Sequence, residues 1–213
     1  MLNLYFSPMA CSLATRIALY EAGVSAGFTQ VDLRAKRTAD GSDFLSVNPM
    51  GQVPVLRTDD GLTLTENTAV LQHVADQLPH AELAPRSGRE RAVLQQWLGF
   101  IGTELHKMVF TPLVDPNASK EAKAYAREHA PKRLSILENH LSTRKFLLDR
   151  FTVADAYLTT ILNWAVPFGI DLEPWPAVRA YHKRMLDRPS VSRAVAEEFA
   201  LYQEEKARQA ASA

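Results

Sequence analysis

The hydrophobic pattern of this chain changes period once, and that change limits its fold more than any other feature. Up to about residue 78, short alternating segments interleave with helical ones. From about residue 90 onward only helical spacing recurs. A mixed α/β segment followed by helix alone reads as two domains. The 213 residues have room for two small cores. The expected architecture is a βαβ-ββα domain over residues 1–78, a linker over 79–89 and an all-helical bundle over 90–213.

Within the first part, Leu2, Leu4 and Phe6 alternate with Asn3 and Tyr5, the period of a strand, and Ser7-Pro8 ends it. Leu13, Ile17 and Tyr20 then recur at helical intervals, with Gly23 as the stop. Phe28 to Leu33 reads as a second strand. Strand, helix and strand in this order make a right-handed parallel βαβ unit. Residues 35–47 are polar and take no assignment. Val55-Leu56-Arg57 and Leu62-Thr63-Leu64 flank Asp59-Asp60-Gly61, a hairpin signal. A helix follows from about Asn67 to Gln77, with Ala69, Val70, Val74 and Leu78 as its apolar stripe. In the second part, helices are expected at about 90–113, 120–142, 153–168, 176–187 and 190–206, with a frayed tail from Lys206.

Charge and cysteine content exclude several functions. The 24 basic residues balance 24 acidic ones, which removes the footprint of a general nucleic-acid binder. No run of about 18 apolar residues occurs, and the N-terminus has no basic, cleavable leader pattern, so no membrane span and no secretion signal are expected. Cys11 is the one cysteine, so no intramolecular disulfide can form. There is no Cys/His cluster with metal-ligand spacing. A soluble, cytoplasmic protein without a metal is the expectation.

Cys11 stands where the first strand-to-helix turn enters the helix. Unpaired amides and the helix dipole there favour an anion, so a thiol at that point loses its proton readily. The alternative is a small buried apolar residue, the common state of a free cysteine. Ser12 beside it is either an N-cap or a hydroxyl offered to a ligand. Val53-Pro54 precedes a strand. It is either an ordinary trans proline or a cis proline that aims backbone groups at a strand-like ligand. Thr65-Glu66-Asn67 opens a helix, whose free amides can cap it or bind a carboxylate. Lys36 lies in a polar loop. Thr103, Glu104, His106 and Lys107 share roughly one helical turn and form a polar face, either structural or catalytic. Thr152-Val153-Ala154-Asp155 has the spacing of a capping box, a folding signal.

Taken in order, these segments resemble the cytosolic glutathione S-transferase family, most closely its bacterial beta class. The carrying stretches are Leu4-Tyr5-Phe6-Ser7-Pro8-Met9-Ala10-Cys11-Ser12-Leu13, Val31 to Thr38, and Asn48-Pro49-Met50-Gly51-Gln52-Val53-Pro54-Val55-Leu56. To these are added Leu64-Thr65-Glu66-Asn67, Glu104-Leu105-His106-Lys107 and Phe151 to Tyr157. The resemblance implies a thioredoxin-like first domain, a helical second domain and a two-fold homodimer. It implies Cys11 at the glutathione sulfur and able to form a mixed disulfide, and Val53 backbone pairing with the cysteinyl amide, with Pro54 cis. Glu66 and Asn67 would hold the γ-glutamyl end and Lys36 the glycyl carboxylate. Tyr5, Ala10, Ser12 and Gln52 fall among the implied glutathione neighbours. His106 and Lys107 would approach the thiol from the second domain, and Glu104 would reach the partner's ligand. Two positions depart from the pattern: Asn67 stands where many relatives have Gly or Ser, and Gly99 where class members often carry Asn. Gly99 and Gly102 weaken their helix and suit close helix approach.

The implied activity is conjugation of glutathione to a small apolar electrophile, disulfide exchange through Cys11, or both, with Cys11 and His106 catalytic. A ligand-carrying or regulatory protein on the same fold is the alternative, because fold does not fix function. Isomerisation or dehalogenation is a third possibility. Phe110, Leu113, Tyr157, Trp164 and Phe168 would line an electrophile pocket or simply form core.

Overall fold

A computed structural model of the chain describes residues 2–211. It divides into two compact units: the chain up to Ala81 together with the segment from Pro189, and the segment Glu82–Arg188.

The first unit is built on a five-stranded mixed sheet in the order β3-β2-β1-β4-β5. Strand β1 (Asn3–Phe6) runs parallel to β2 (Gly27–Asp32), with helix α1 (Leu13–Glu21) as the crossover. On its other side β1 pairs antiparallel with β4 (Val55–Arg57), which forms a hairpin with β5 (Thr63–Leu64). The expected βαβ-ββα order is therefore present, closed by α2 (Asn67–Gln77). The centre of the sheet is buried on both faces: Leu4 pairs with Leu56 and, on the opposite face, Tyr5 with Val55, and all four are buried. One strand was not legible. β3 (Arg37–Thr38) pairs with Val31 and Asp32 inside the polar stretch that took no assignment. Two residues are too few to show a period. Local bonds hold it instead, with Ser42 carbonyl accepting from the Thr38 amide at 3.0 Å.

The last helix, α8 (Pro189–Ala211), was expected in the helical bundle. It packs on α1 in the first unit, as does α2. The reason lies in α1. Arg16 is 4% exposed among the buried residues of α1, and a buried cation needs a carboxylate. Glu198 of α8 supplies it, its Oε1 accepting from Arg16 Nε at 2.9 Å. The helix also continues to Ala211, past the point where fraying was expected.

The second unit is all helical. Helix α3 (Gly88–Phe100) runs without a break into a π-helical stretch (Ile101–Phe110) and ends in a short turn, α4 (Thr111–Val114). Helices α5 (Lys120–Leu141), α6 (Val153–Leu162) and α7 (Pro176–Leu186) complete it. Helix α6 ends six residues earlier than expected, because Pro167 cannot continue the ladder; the chain turns through a 3₁₀ segment at Val166–Phe168. The expected linker is partly anchored. Leu83 is 1% exposed, and its carbonyl accepts from Val153 N at 2.9 Å.

The Thr152–Asp155 capping box forms as read, and Asp155 does more than cap. One oxygen accepts from Thr152 N and Oγ1, at 2.9 and 3.0 Å. The other accepts from Leu147 N at 2.9 Å and Tyr181 Oη at 3.0 Å. Burial pushes this carboxyl up to about 6, with the four donors pulling the other way. Among the described residues no helix is long and apolar enough to cross a membrane.

Candidate active site

The site on the first unit starts from the turn between β1 and α1. Ala10 N donates to Ser7 carbonyl at 3.1 Å, and Leu13 N to Ala10 carbonyl at 3.1 Å, which tightens the chain just before the helix. Met9 sits in the left-handed region at φ 60°. Ser12 is fully buried. Its hydroxyl donates to Ser7 carbonyl and accepts from Ser7 N, both at 3.3 Å. The sequence offers Ser12 as an N-cap or as a hydroxyl for a ligand. It makes no side-chain cap bond and spends its hydroxyl inside the turn.

This turn presents Cys11, which is half-buried. Its thiol donates to the carbonyl of Val53 at 3.2 Å. Val53–Pro54 is a cis peptide bond, as the resemblance implied. Asn48 fixes the approach to it, its Nδ2 donating to Gln52 carbonyl at 2.7 Å. Gln52 itself is exposed, while Val53 is 8% exposed.

Three further candidates belong to the same unit. Asn67, at the first position of α2, donates from Nδ2 to Cys11 carbonyl at 3.2 Å. Its Oδ1 is buried and has no partner among the described residues. An unpaired buried acceptor is costly, and a ligand ammonium or amide would satisfy it. Glu66, just before it, is exposed and sits at φ 62°. Lys36 donates from Nζ to Gly51 carbonyl at 2.9 Å, one residue before Gln52. Tyr5 is less a ligand group than core. Its ring packs on Phe44 in a cluster with Val31, Val53 and Val55, against which Ala10 is also packed.

In the second unit, the π-helical stretch carries Glu104, His106 and Lys107. A π-helix bonds each N–H to the carbonyl five residues back. Thr111 N accordingly donates to His106 carbonyl. His106 Nδ1 shares a hydrogen bond of 2.7 Å with Tyr157 Oη, and its ring lies edge-on to Tyr157 and Trp164. Burial, with the Lys107 charge adding to it, holds the His106 imidazole down to about 4. It is therefore a neutral imidazole at neutral pH. Lys107 is exposed. Glu104, expected toward a partner's ligand, is engaged within its own unit. Its Oε2 accepts from Arg133 Nη2 at 2.7 Å and Nε at 3.1 Å. Phe110, Leu113 and Tyr157 are buried core, so the plainer of the two readings holds for them. A Cβ at Gly99 would meet nothing within 4 Å, so close approach does not explain that glycine. Among the described residues no group of acidic, His and Cys side chains could hold a metal.

Comparison with known proteins bears on the family and the fold. The family model described as the glutathione S-transferase N-terminal domain matches residues 2–76, and that of the C-terminal domain matches residues 103–189. Glutathione S-transferase GstA of Escherichia coli O157:H7 is 41% identical over 92% of this chain and 98% of its own length. The chain belongs to the glutathione S-transferase family. Among solved structures, a bacterial beta-class transferase from Sphingomonas chungbukensis is 44% identical, with a TM-score of 0.88 over 92% of this chain and 98% of its own. A sphingomonad transferase in complex with glutathione has the same identity, coverage and TM-score. The family's first domain supplies the sheet and the Cys11 turn here, and its second the π-helical stretch.

Sequence reasoning missed Glu198 and Arg16. Arg16 carried the signal: a charge among Leu13, Ile17 and Leu19, on a helix whose other residues there are buried, demands an acid from elsewhere in the chain.

Proposed function

We propose that the first unit binds glutathione with its thiol beside Cys11. The enzyme then conjugates it to a small apolar electrophile, exchanges disulfides through Cys11, or does both. The observation that carries this reading is the 3.2 Å contact between Cys11 Sγ and Val53 carbonyl. An extended peptide that pairs with Val53 as an added strand puts its own cysteine sulfur next to Cys11. The acceptors Asn67 Oδ1 and Glu66 carboxylate suit the ammonium of the γ-glutamyl end, the amides at the start of α2 suit its carboxylate, and Lys36 suits the glycyl carboxylate.

The chemistry follows from the Cys11 position. The α1 N-terminus favours a thiolate there. Two thiolates in contact repel, so Cys11 and a bound glutathione do not both stay charged. Disulfide exchange resolves the conflict. The Cys11 thiolate attacks the glutathione sulfur of a mixed disulfide, and the substrate thiolate leaves. A second glutathione thiolate then attacks the protein–glutathione disulfide, which releases glutathione disulfide and regenerates the Cys11 thiolate. Within the second unit, we assign His106 a part as a neutral hydrogen-bonding group, with Lys107 as the cation next to it in the chain. A two-fold homodimer in the cytoplasm, where a lone thiol stays reduced, completes the proposal.

Intact-mass measurement after incubation with glutathione disulfide tests it. One glutathionyl adduct per chain is expected, lost on reduction and absent from Cys11→Ala. A wild-type mass that stays unmodified contradicts the exchange role.

A further inference from the structure

The C-terminal helix reaches the Cys11 turn. Glu198, on α8, is fully buried. Its Oε2 accepts from Met9 N at 2.8 Å, two residues before Cys11, while its Oε1 holds Arg16 Nε at 2.9 Å. The Arg16 guanidinium lies over the rings of Phe6 and Phe28, 4.3 and 4.0 Å from their centroids. Arg16 is thus fixed by α1, β1 and β2, and Glu198 is fixed by Arg16. Helix α8 begins at residue 189, where the family model ends.

We infer that Glu198 is a positioning residue: it holds Met9 in its left-handed conformation and so sets where the Cys11 thiol stands. Two facts separate this from simple helix packing. First, an apolar pair of similar volume holds one helix on another at least as well as a buried ion pair does. Such a pair cannot accept the Met9 N–H. Second, Met9 is at φ 60°, which a residue with a Cβ adopts only when something holds it there. Glu198 carries that anchor on the same carboxylate that meets Arg16. Burial pushes the Glu198 carboxyl up to about 7, against the pull of Arg16 and Met9 N, and either protonation state keeps an oxygen to accept the Met9 amide.

The inference rests on the reading that the Cys11 turn faces glutathione, but its test uses no glutathione. The rate of Cys11 alkylation by iodoacetamide is measured against pH in wild type, Glu198→Ala and the double variant Arg16→Met/Glu198→Met. The double variant leaves no buried charge unpaired, so it keeps the fold where Glu198→Ala alone loses it. Each is also made with Met9→Gly, since glycine adopts a positive φ without an anchor. We expect the double variant to keep the wild-type thermal midpoint yet alkylate roughly fivefold more slowly at neutral pH, as the thiol moves away from the helix start toward its ordinary behaviour. Met9→Gly is expected to restore most of that rate. Loss of the Arg16 charge or a loosened α8 would not be rescued in this way. An unchanged alkylation profile in the double variant overturns the inference, and so does a slow rate that Met9→Gly fails to restore. Failure of glutathione to bind would count against the proposed function and leave these outcomes intact.

Discussion

The Cys11 thiol donates to the carbonyl of Val53, 3.2 Å away, across the gap between the β1–α1 turn and the approach to β4. In the proposed binding mode that carbonyl also pairs with the cysteinyl amide of glutathione. In that mode Cys11 and glutathione compete for one acceptor, and binding is expected to move the protein thiol off it. Removing the thiol should not remove the acceptor. Cys11→Ala is expected to bind reduced glutathione within about threefold of wild type, under 1 kcal/mol. Its disulfide exchange with a mixed-disulfide substrate should fall by two orders of magnitude or more. Titration calorimetry and a coupled exchange assay check the two halves, and unchanged exchange in the variant would remove Cys11 from the reaction.

Gly51 supports the same stretch from below. It sits at φ 59°, and a Cβ there would lie 2.9 Å from Lys36 Cδ and 3.1 Å from Leu45 Cδ2. Its carbonyl also receives the Lys36 ammonium. Gly51→Ala therefore strains the backbone and displaces the lysine together. The expected cost is about 1–3 kcal/mol of stability, with weaker glutathione binding. Denaturant unfolding and calorimetry measure both. A variant with wild-type affinity would show that Lys36 does not serve the ligand.

The histidines of the second unit set a pH dependence. Burial holds His106 and His182 each down to about 4, from an ordinary value of 6.5. In the unfolded chain they take protons near 6.5, so between 6.5 and 4 the unfolded state binds more protons. Each contributes stability that is present above pH 6.5 and lost as pH falls toward 4, at most about 3 kcal/mol. Asp155 and Glu198, pushed up to about 6 and 7, act in the opposite sense over the same range. The histidine part is isolated by comparing wild type with His182→Gln. The variant should lose less stability on acidification from pH 6.5 to 5, measured by urea unfolding. Parallel curves would contradict a neutral buried imidazole at 182.

The particular elements show what a sequence exposes. Thr152 and Asp155 announce a capping box because the spacing of a cap is local, and the box formed. Tyr181 and Leu147, which bond the same Asp155, lie too far along the chain for any spacing rule. Cys11 was legible as a helix-start thiol. Its neighbour Ser12 stands at the N-cap position, but its hydroxyl turns to Ser7, which depends on the whole turn and not on local spacing. The π-helical register of Ile101–Phe110 left no trace in the periodicity, since its apolar positions fit a 3.6-residue period well enough to read as ordinary helix. Helix α8 was legible as a helix but not as a part of the first unit, because amphipathic spacing gives a face and not its partner. Only the buried cation Arg16 hinted at that pairing.

Titration calorimetry of reduced glutathione into the freshly reduced wild-type protein tests the central claim most directly. Saturable binding of one glutathione per chain is expected, with a Kd between about 1 μM and 1 mM, roughly −8 to −4 kcal/mol. No heat, and no competition at millimolar glutathione against any ligand of the Cys11 turn, would contradict it and leave a ligand carrier on the transferase fold.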